Sequence, residues 1–315
     1  MHPSPFIQWL LSARTASIRL LTLTQLLEHS PHDIEVRALW GAMRASGPIP
    51  AILAQQTKTG NWVGEHSFYT PKYTSTHWSM LLLTELAADP QDPHMKRGAL
   101  FMLGDTWEAL QTRLEDKKHG WTCLWANILR YANYCQCQDD PRARSIVQAL
   151  AYDALEADWR CPYNEEFPCA WGVTRALWGL SNIPEERRNA QVQALIDSGL
   201  HFLLDKYQLT QANYPTPRDG HIHPLWFKLN FPLFYQSDIL FTLRVLAELK
   251  ALDHPSAQQA LDSLEGLRKK DGHWRGSSPF LSRTWSVIGD REETDRWVSL
   301  HAALVLKAAG RKWLD

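Results

Sequence analysis

Trp78-Ser79-Met80-Leu81-Leu82-Leu83-Thr84-Glu85-Leu86-Ala87 is apolar around almost its whole circumference, so a helix made of it has no side to give to water. Residues 124–132, 170–180, 239–249 and 297–309 have the same character, and the last of these contains Ala302-Ala303-Leu304-Val305-Leu306. All five read as helices buried on nearly every side. Between them lie segments of a second kind, opened by Asp92-Pro93, Asp140-Pro141, Pro184-Glu185-Glu186 and His254-Pro255. Proline suits a first helical turn, where its missing N–H costs nothing, and an acidic neighbour favours the same end. After Pro141, Val147, Leu150, Ala151, Ala154 and Leu155 keep one face, and after Pro184, Val192, Leu195, Ile196 and Leu203 do the same. These segments read as outer helices with one wet side.

Alternating one-sided and all-round apolar helices predict a double-layered helical ring, with inner helices about an axis and outer helices shielding them. The expected fold is therefore all-α, an α/α toroid over residues 47–315. Residues 1–46, with Ile18, Leu21, Leu26, Leu27, Val36, Leu39 and Met43, read as an N-terminal helical extension covering one end. Three inner segments open alike, with Thr76-His77-Trp78, Cys123-Leu124-Trp125 and Cys169-Ala170-Trp171, so equivalent side chains should face one rim.

Composition narrows the function classes. Thirty-three Lys and Arg against 34 Asp and Glu leave a formal charge of −1, which offers no surplus for nucleic acid. The apolar stretch 6–11 is short and is followed by Arg14 and Arg19, which fits neither a signal segment nor a membrane span. Five cysteines, an odd number, in a chain long enough to hold itself by its core suggest a reducing, cytoplasmic setting. Fifteen Trp, nine Tyr and ten Phe suit either a packed core or an aromatic-lined cavity.

Gln56-Thr57-Lys58-Thr59-Gly60-Asn61-Trp62 resembles the Q-x-x-x-G-x-W turn of the terpenoid cyclase and protein prenyltransferase superfamily, and Lys270-Asp271-Gly272-His273-Trp274 is a degenerate second copy. Glycine permits a left-handed turn after a helix, and the Trp two residues on packs over that helix end. The resemblance implies a toroid whose central cavity takes an isoprenoid or another lipophilic small molecule. It does not extend to the family's reactive motifs. Cys137-Gln138-Asp139-Asp140 lacks the first Asp of D-x-D-D, and Asp139-Asp140-Pro141-Arg142-Ala143 fails the last position of D-D-x-x-D. Whether the chain is an enzyme is left open by the sequence.

The candidate chemistry is set by residue type and position. Cys123 and Cys169 share one repeat position at inner-helix N-termini, Cys161 lies in the loop between them, and three thiols with a histidine such as His77 or His223 would suit zinc. The alternative is that they pack as small apolar groups, as Cys135 and Cys137 are read. Asp238 opens an inner helix after an apolar stretch, so it is either a buried proton donor or the helix cap; His77 and Tyr235 join it as candidate catalytic groups. Tyr73, Trp78, Trp125, Trp171, Trp226 and Trp285 are candidates for the cavity wall, and Arg175, with Arg130, for holding an anionic head. A non-catalytic helical scaffold, or a zinc-thiolate enzyme on the same barrel, remain the alternatives. The Pro- and His-containing stretch 213–224 reads as a loop over the rim.

Overall fold

The Asx-Pro signals mark helix starts as expected. The Asp92 carboxylate accepts the His94 N–H at 2.8 Å, and that of Asp140 accepts the Arg142 N–H at 2.9 Å. His254 plays the same part through its ring nitrogen, taking the Ser256 N–H at 3.2 Å. Pro184 departs from the pattern. It opens only a single 3₁₀ turn over Glu185–Arg187, and the outer helix begins at Ala190, where Asn189 accepts the Val192 N–H at 2.9 Å.

The computed structural model describes residues 4–63, 67–217 and 220–314, and every regular element among them is helical. In chain order the helices are α1 (Pro5–Leu11), α2 (Ala16–Leu21), α3 (Ile34–Ala45), α4 (Pro48–Leu53), α5 (Thr76–Glu85), α6 (Pro93–Asp105) and α7 (Trp107–Glu115). They continue with α8 (Thr122–Tyr134), α9 (Pro141–Ala151), α10 (Ala170–Ser181), α11 (Ala190–Leu200), α12 (Ile239–Glu248), α13 (Pro255–Gly266) and α14 (Arg291–Ala308). Single π-helical turns lengthen α2, α9 and α11. Extended backbone meets only at isolated pairs, Gln56 with Trp62, Arg160 with Pro168 and Asn230 with Ser277.

The two classes of helix separate as their sequences require. Every residue of α5 is buried, and α8, α10, α12 and α14 are buried over most of their surface. α5 packs on α8, α8 on α10, α10 on α12, α12 on α14, and α14 on α2 and its π turn. α3, α6, α9, α11 and α13 lie against α2, α5, α8, α10 and α12 respectively. The closest approach is between α8 and α10: a Cβ on Gly179 would stand 2.6 Å from the Ala126 carbonyl oxygen, so the backbones touch there. Residues 4–46 belong to the same core. One cluster of buried apolar side chains runs from Phe6 to Leu306. The Glu293 carboxylate on α14 takes the backbone N–H groups of Arg14 and Thr15, at 3.1 and 3.0 Å.

Four of the inner helices, α5, α8, α12 and α14, also end alike. Ala87, Gln136, Lys250 and Gly310 take left-handed φ values of 58°, 59°, 57° and 66°. In each case the next N–H reaches back to a helix carbonyl: Ala88 to Leu83, Cys137 to Ala132, Ala251 to Leu246 and Arg311 to Leu306, at 2.8–3.0 Å.

The Trp62 and Trp274 turns are the same object built twice. Each indole N–H donates to a carbonyl ten residues back, Ile52 in α4 at 2.8 Å and Leu264 in α13 at 2.7 Å. Each backbone N–H meets a hydroxyl of an inner helix, Thr76 or Ser299, at 3.0 Å. Gly60 and Gly272 take φ of 102° and 80°, and both indoles are fully buried. A Trp in this turn thus ties an outer-helix end to the following inner helix.

Candidate functional site

The aromatic cluster stands where the inner helices begin. Trp78 is fully buried, with Tyr69 at 4.6 Å between ring centres, His77 at 4.7 Å, Tyr73 at 5.4 Å and Phe234 at 5.6 Å. Its N–H donates to the Tyr69 carbonyl at 2.8 Å. Tyr235 is half-buried and bridges Trp78 to Trp171, and the Lys72 ammonium lies over the Tyr69 and Tyr235 rings at 5.7 and 5.4 Å. Burial pushes the Tyr235 hydroxyl up to about 12, so it is protonated at neutral pH.

The other aromatic candidates divide. Trp125 lines an open cleft of about 1100 Å³ between Phe68–Tyr69 and helices α6, α7 and α8. Trp171 lines a second, of about 510 Å³, beside Cys169, Tyr214 and His223. Trp285 donates to the Ser79 hydroxyl at 3.0 Å. Trp226 is placed differently: it is fully buried, donates to the Leu209 carbonyl at 3.1 Å and packs on Tyr214, lining neither cleft. The stretch 213–224 borders the second cleft, with residues 218 and 219 outside the described residues.

Beneath the aromatics the inner helices carry polar side chains with unfilled hydrogen-bonding capacity. Arg175 on α10 is fully buried and lies flat on Phe241, 3.9 Å to the ring centre, with Trp178 at 5.1 Å. Its Nε and Nη2 donate to the Gln236 carbonyl at 3.2 and 2.5 Å, while Nη1 has no protein partner. Among the described residues it forms no ion pair. Burial pulls its pKa to about 9, still leaving it charged at neutral pH. His77 Nε2, Asn127 Oδ1, Gln236 Oε1 and Ser237 Oγ are also buried and unpartnered. Two of them are anchored by their other polar atom: Asn127 Nδ2 donates to the Phe234 carbonyl at 3.4 Å, and His77 Nδ1 meets the Tyr131 hydroxyl at 3.3 Å. Burial, with the Arg175 charge, holds His77 down to about 3, so the ring is neutral.

Asp238 is fully buried and is the cap of α12. One oxygen takes the Phe241 N–H at 2.7 Å; the other takes the Asn230 N–H at 2.8 Å and its side-chain amide at 2.7 Å. Burial raises its pKa to about 6 against those bonds.

The three candidate zinc thiols fall into a pair and a neighbour. Cys161 and Cys169 act on each other as a pair, and this, with nearby backbone N–H groups, draws the Cys161 thiol down while Cys169 is pushed up. Burial pushes Cys123 up to about 12. His223 is occupied as a cap, its ring nitrogen taking the Leu225 N–H at 3.1 Å. Among the described residues no group of three or more His, Cys, Asp and Glu side chains is gathered to hold a metal ion.

No family model, no curated protein and no solved structure matches the chain. Its activity must be argued from these groups.

Several of them carried little sequence signal. Asn127 is a polar residue inside an all-apolar stretch, which is the kind of anomaly that marks a site, but Gln236 and Ser237 look like ordinary loop residues. Trp121 follows Gly120 and takes φ 57°; its partly exposed ring meets that of Tyr163 at 4.8 Å on the edge of the larger cleft. Its turn is fixed by buried Asp153, which takes the Gly120 N–H at 3.1 Å, the Thr122 hydroxyl at 2.8 Å and an ion pair from Arg113.

The opposite ends of the inner helices meet as well. A cavity of about 330 Å³ is lined by Leu21, Glu85, Arg130, Trp178, Arg244 and His301, one from each of α2, α5, α8, α10, α12 and α14. Its charges are matched within it, Arg244 to Glu85 at 2.8 Å and Arg130 to Glu248 at 2.6 Å.

Proposed function

We propose that the chain is an α/α-toroid protein that binds a small molecule with a lipophilic body and an anionic head, the head at Arg175 and the body among the rim aromatics. The observation that carries this reading is the buried Arg175 guanidinium, charged, forming no ion pair among the described residues and with one amino group unpartnered. A buried charge of this kind costs several kcal/mol unless it is paired, and an anionic ligand would pair it. The ring itself is part of the proposal. Six helices in serial contact from α5 through α8, α10, α12 and α14 to α2, each contributing to one cavity at their C-terminal ends, support closure about an axis.

Binding is favoured over proton transfer. Three hydrogen bonds tie the Asp238 carboxylate to the α12 cap and to Asn230, so it is held in place as a helix start. His77 and Tyr235 are held neutral and so act as hydrogen-bonding groups toward a ligand. Rim aromatics, an apolar cleft and the Lys72 ammonium over two tyrosine rings suit a chain such as an isoprenoid.

The test compares farnesyl diphosphate with farnesol by quenching of tryptophan fluorescence. The diphosphate should bind at least about tenfold more tightly, the worth of one charge-assisted hydrogen bond. Arg175→Met should remove that preference and leave the alcohol's affinity unchanged. Equal affinities in the unmodified protein, or a preference that survives Arg175→Met, would refute the reading.

A further inference from the structure

We propose that Cys161 and Cys169 form a reversible dithiol–disulfide couple, a thiol-exchange site that accepts small organic disulfides through the cleft beside Trp171. It is independent of the ligand reading at Arg175.

The backbone brings the two sulfurs together. Arg160 and Pro168 pair as an isolated antiparallel bridge, the Cys161 N–H donates to Phe167 at 3.1 Å, and the Cys169 N–H donates to Trp159 at 3.0 Å. This short stem closes a loop over residues 162–168 and sets the cysteines diagonally across its mouth, on one face of the stem, where the two thiols act on each other's ionisation. The sulfurs also sit among donors suited to negative charge. Cys161 faces the backbone N–H groups of Tyr163, Asn164 and Trp121, and Cys169 accepts the Gly172 N–H at 3.4 Å in the first turn of α10. The other thiols differ: Cys137 donates to the Cys135 carbonyl at 3.6 Å in the core, and burial pushes Cys123, at the start of α8, up to about 12.

Access is provided on two sides. Cys169 lines the cleft of about 510 Å³ with Trp171, Tyr214 and His223. The loop over Cys161 is mostly exposed, Tyr163 by 72% and Phe167 by 42%, and Glu165 and Glu166 both take left-handed φ.

The exchange balances with an organic disulfide as oxidant. The Cys161 thiolate attacks one sulfur of the small disulfide, forming a mixed disulfide and releasing one small thiolate. The Cys169 thiol passes its proton to solvent and attacks the Cys161 sulfur, closing the protein disulfide and releasing the second thiolate. Two protein thiols are oxidised, and one small disulfide is reduced to two thiols.

The full chain is incubated in graded mixtures of oxidised and reduced glutathione with a metal chelator, alkylated, and read by intact mass and peptide mapping. The expected product has lost two hydrogens, carries one Cys161–Cys169 cross-link and leaves Cys123, Cys135 and Cys137 alkylated only after unfolding. Cys169→Ser should stop at a glutathione adduct on Cys161, and Cys161→Ser should form adducts at least about tenfold more slowly. A cross-link elsewhere, no cross-link under the most oxidising mixture while circular dichroism stays helical, or equal adduct rates in the two variants would overturn the proposal.

Discussion

Replacing Arg175 by Met should raise the stability of the ligand-free protein and weaken its stabilisation by an anionic ligand. Burial draws the guanidinium to a pKa of about 9, and at about 1.4 kcal/mol per tenfold change this is a native-state penalty of roughly 5 kcal/mol. Because a cation whose folded pKa is lowered is disfavoured at every pH below that value, the penalty is fully present at pH 7. Two terms oppose it. Stacking on Phe241 at 3.9 Å and Trp178 at 5.1 Å contributes about 1 kcal/mol each. The Gln236 carbonyl, which accepts both guanidinium bonds, would lose its partner at a cost of about 2 kcal/mol. Met fills similar volume, so the remainder is a gain of about 1 kcal/mol, or about 2 °C in Tm for a domain of this size. An isoprenoid diphosphate at a hundred times its Kd for the unmodified protein should add about 2.7 kcal/mol to that protein and about 1.4 kcal/mol to the variant, which binds it about tenfold more weakly. Thermal unfolding followed by circular dichroism, with and without ligand, should therefore show a ligand shift about half as large in the variant. If the ligand-free variant is instead less stable by more than about 2 kcal/mol and the ligand shifts neither protein, Arg175 is a structural strut and the anion site does not exist.

Acid should destabilise the fold early: His77, held at about 3, and His301, held well below its usual value, stay neutral while the unfolded chain protonates. His77 removes about 2 kcal/mol between pH 7 and 5 and His301 acts in the same direction, opposed by about 1 kcal/mol from Asp238, whose raised pKa of about 6 favours the native state as pH falls; urea midpoints at the two pH values check the net loss, expected to exceed about 1 kcal/mol. Ala87→Gly, at a left-handed helix end with φ 58°, should stabilise by about 0.5 kcal/mol, read as a higher urea midpoint with unchanged slope. Asp238→Asn should cost about 2–3 kcal/mol, because the Asn230 amide and N–H lose a charged acceptor; a neutral effect would show that the cap is not what holds α12. Purified protein should carry less than stoichiometric zinc, since the described residues bring no third ligand to the Cys161–Cys169 pair; elemental analysis giving one zinc per chain, lost in Cys161→Ser, would restore the three-thiol reading.

The helical class and the layer assignment were legible because burial is written into composition. The run from Trp78 to Ala87 has no polar face, so α5 had to be interior, and Asp140-Pro141 had to start a helix that shows one side to water. The Gly60 and Gly272 turns were legible for the same local reason, a left-handed position followed by a ring that needs a roof. Local signals failed where two helix starts compete, as at Pro184, where Asn189 caps the helix instead. They also failed for residues 4–46, whose apolar pattern announces burial but not the surface that buries it; packing on α14 decides that. For the site, the sequence by itself determined residue types and their rim positions: His77, Trp78, Cys123, Trp125, Cys169 and Trp171 at equivalent helix starts. Only tertiary structure decided their roles. Whether Arg175 finds a carboxylate, whether Asp238 spends both oxygens on backbone, and whether Cys161 meets Cys169 or Cys123 depend on contacts between segments distant along the chain. Hydrogen bonds and desolvation act over a few ångströms in space, and no local pattern encodes which side chains arrive within that range.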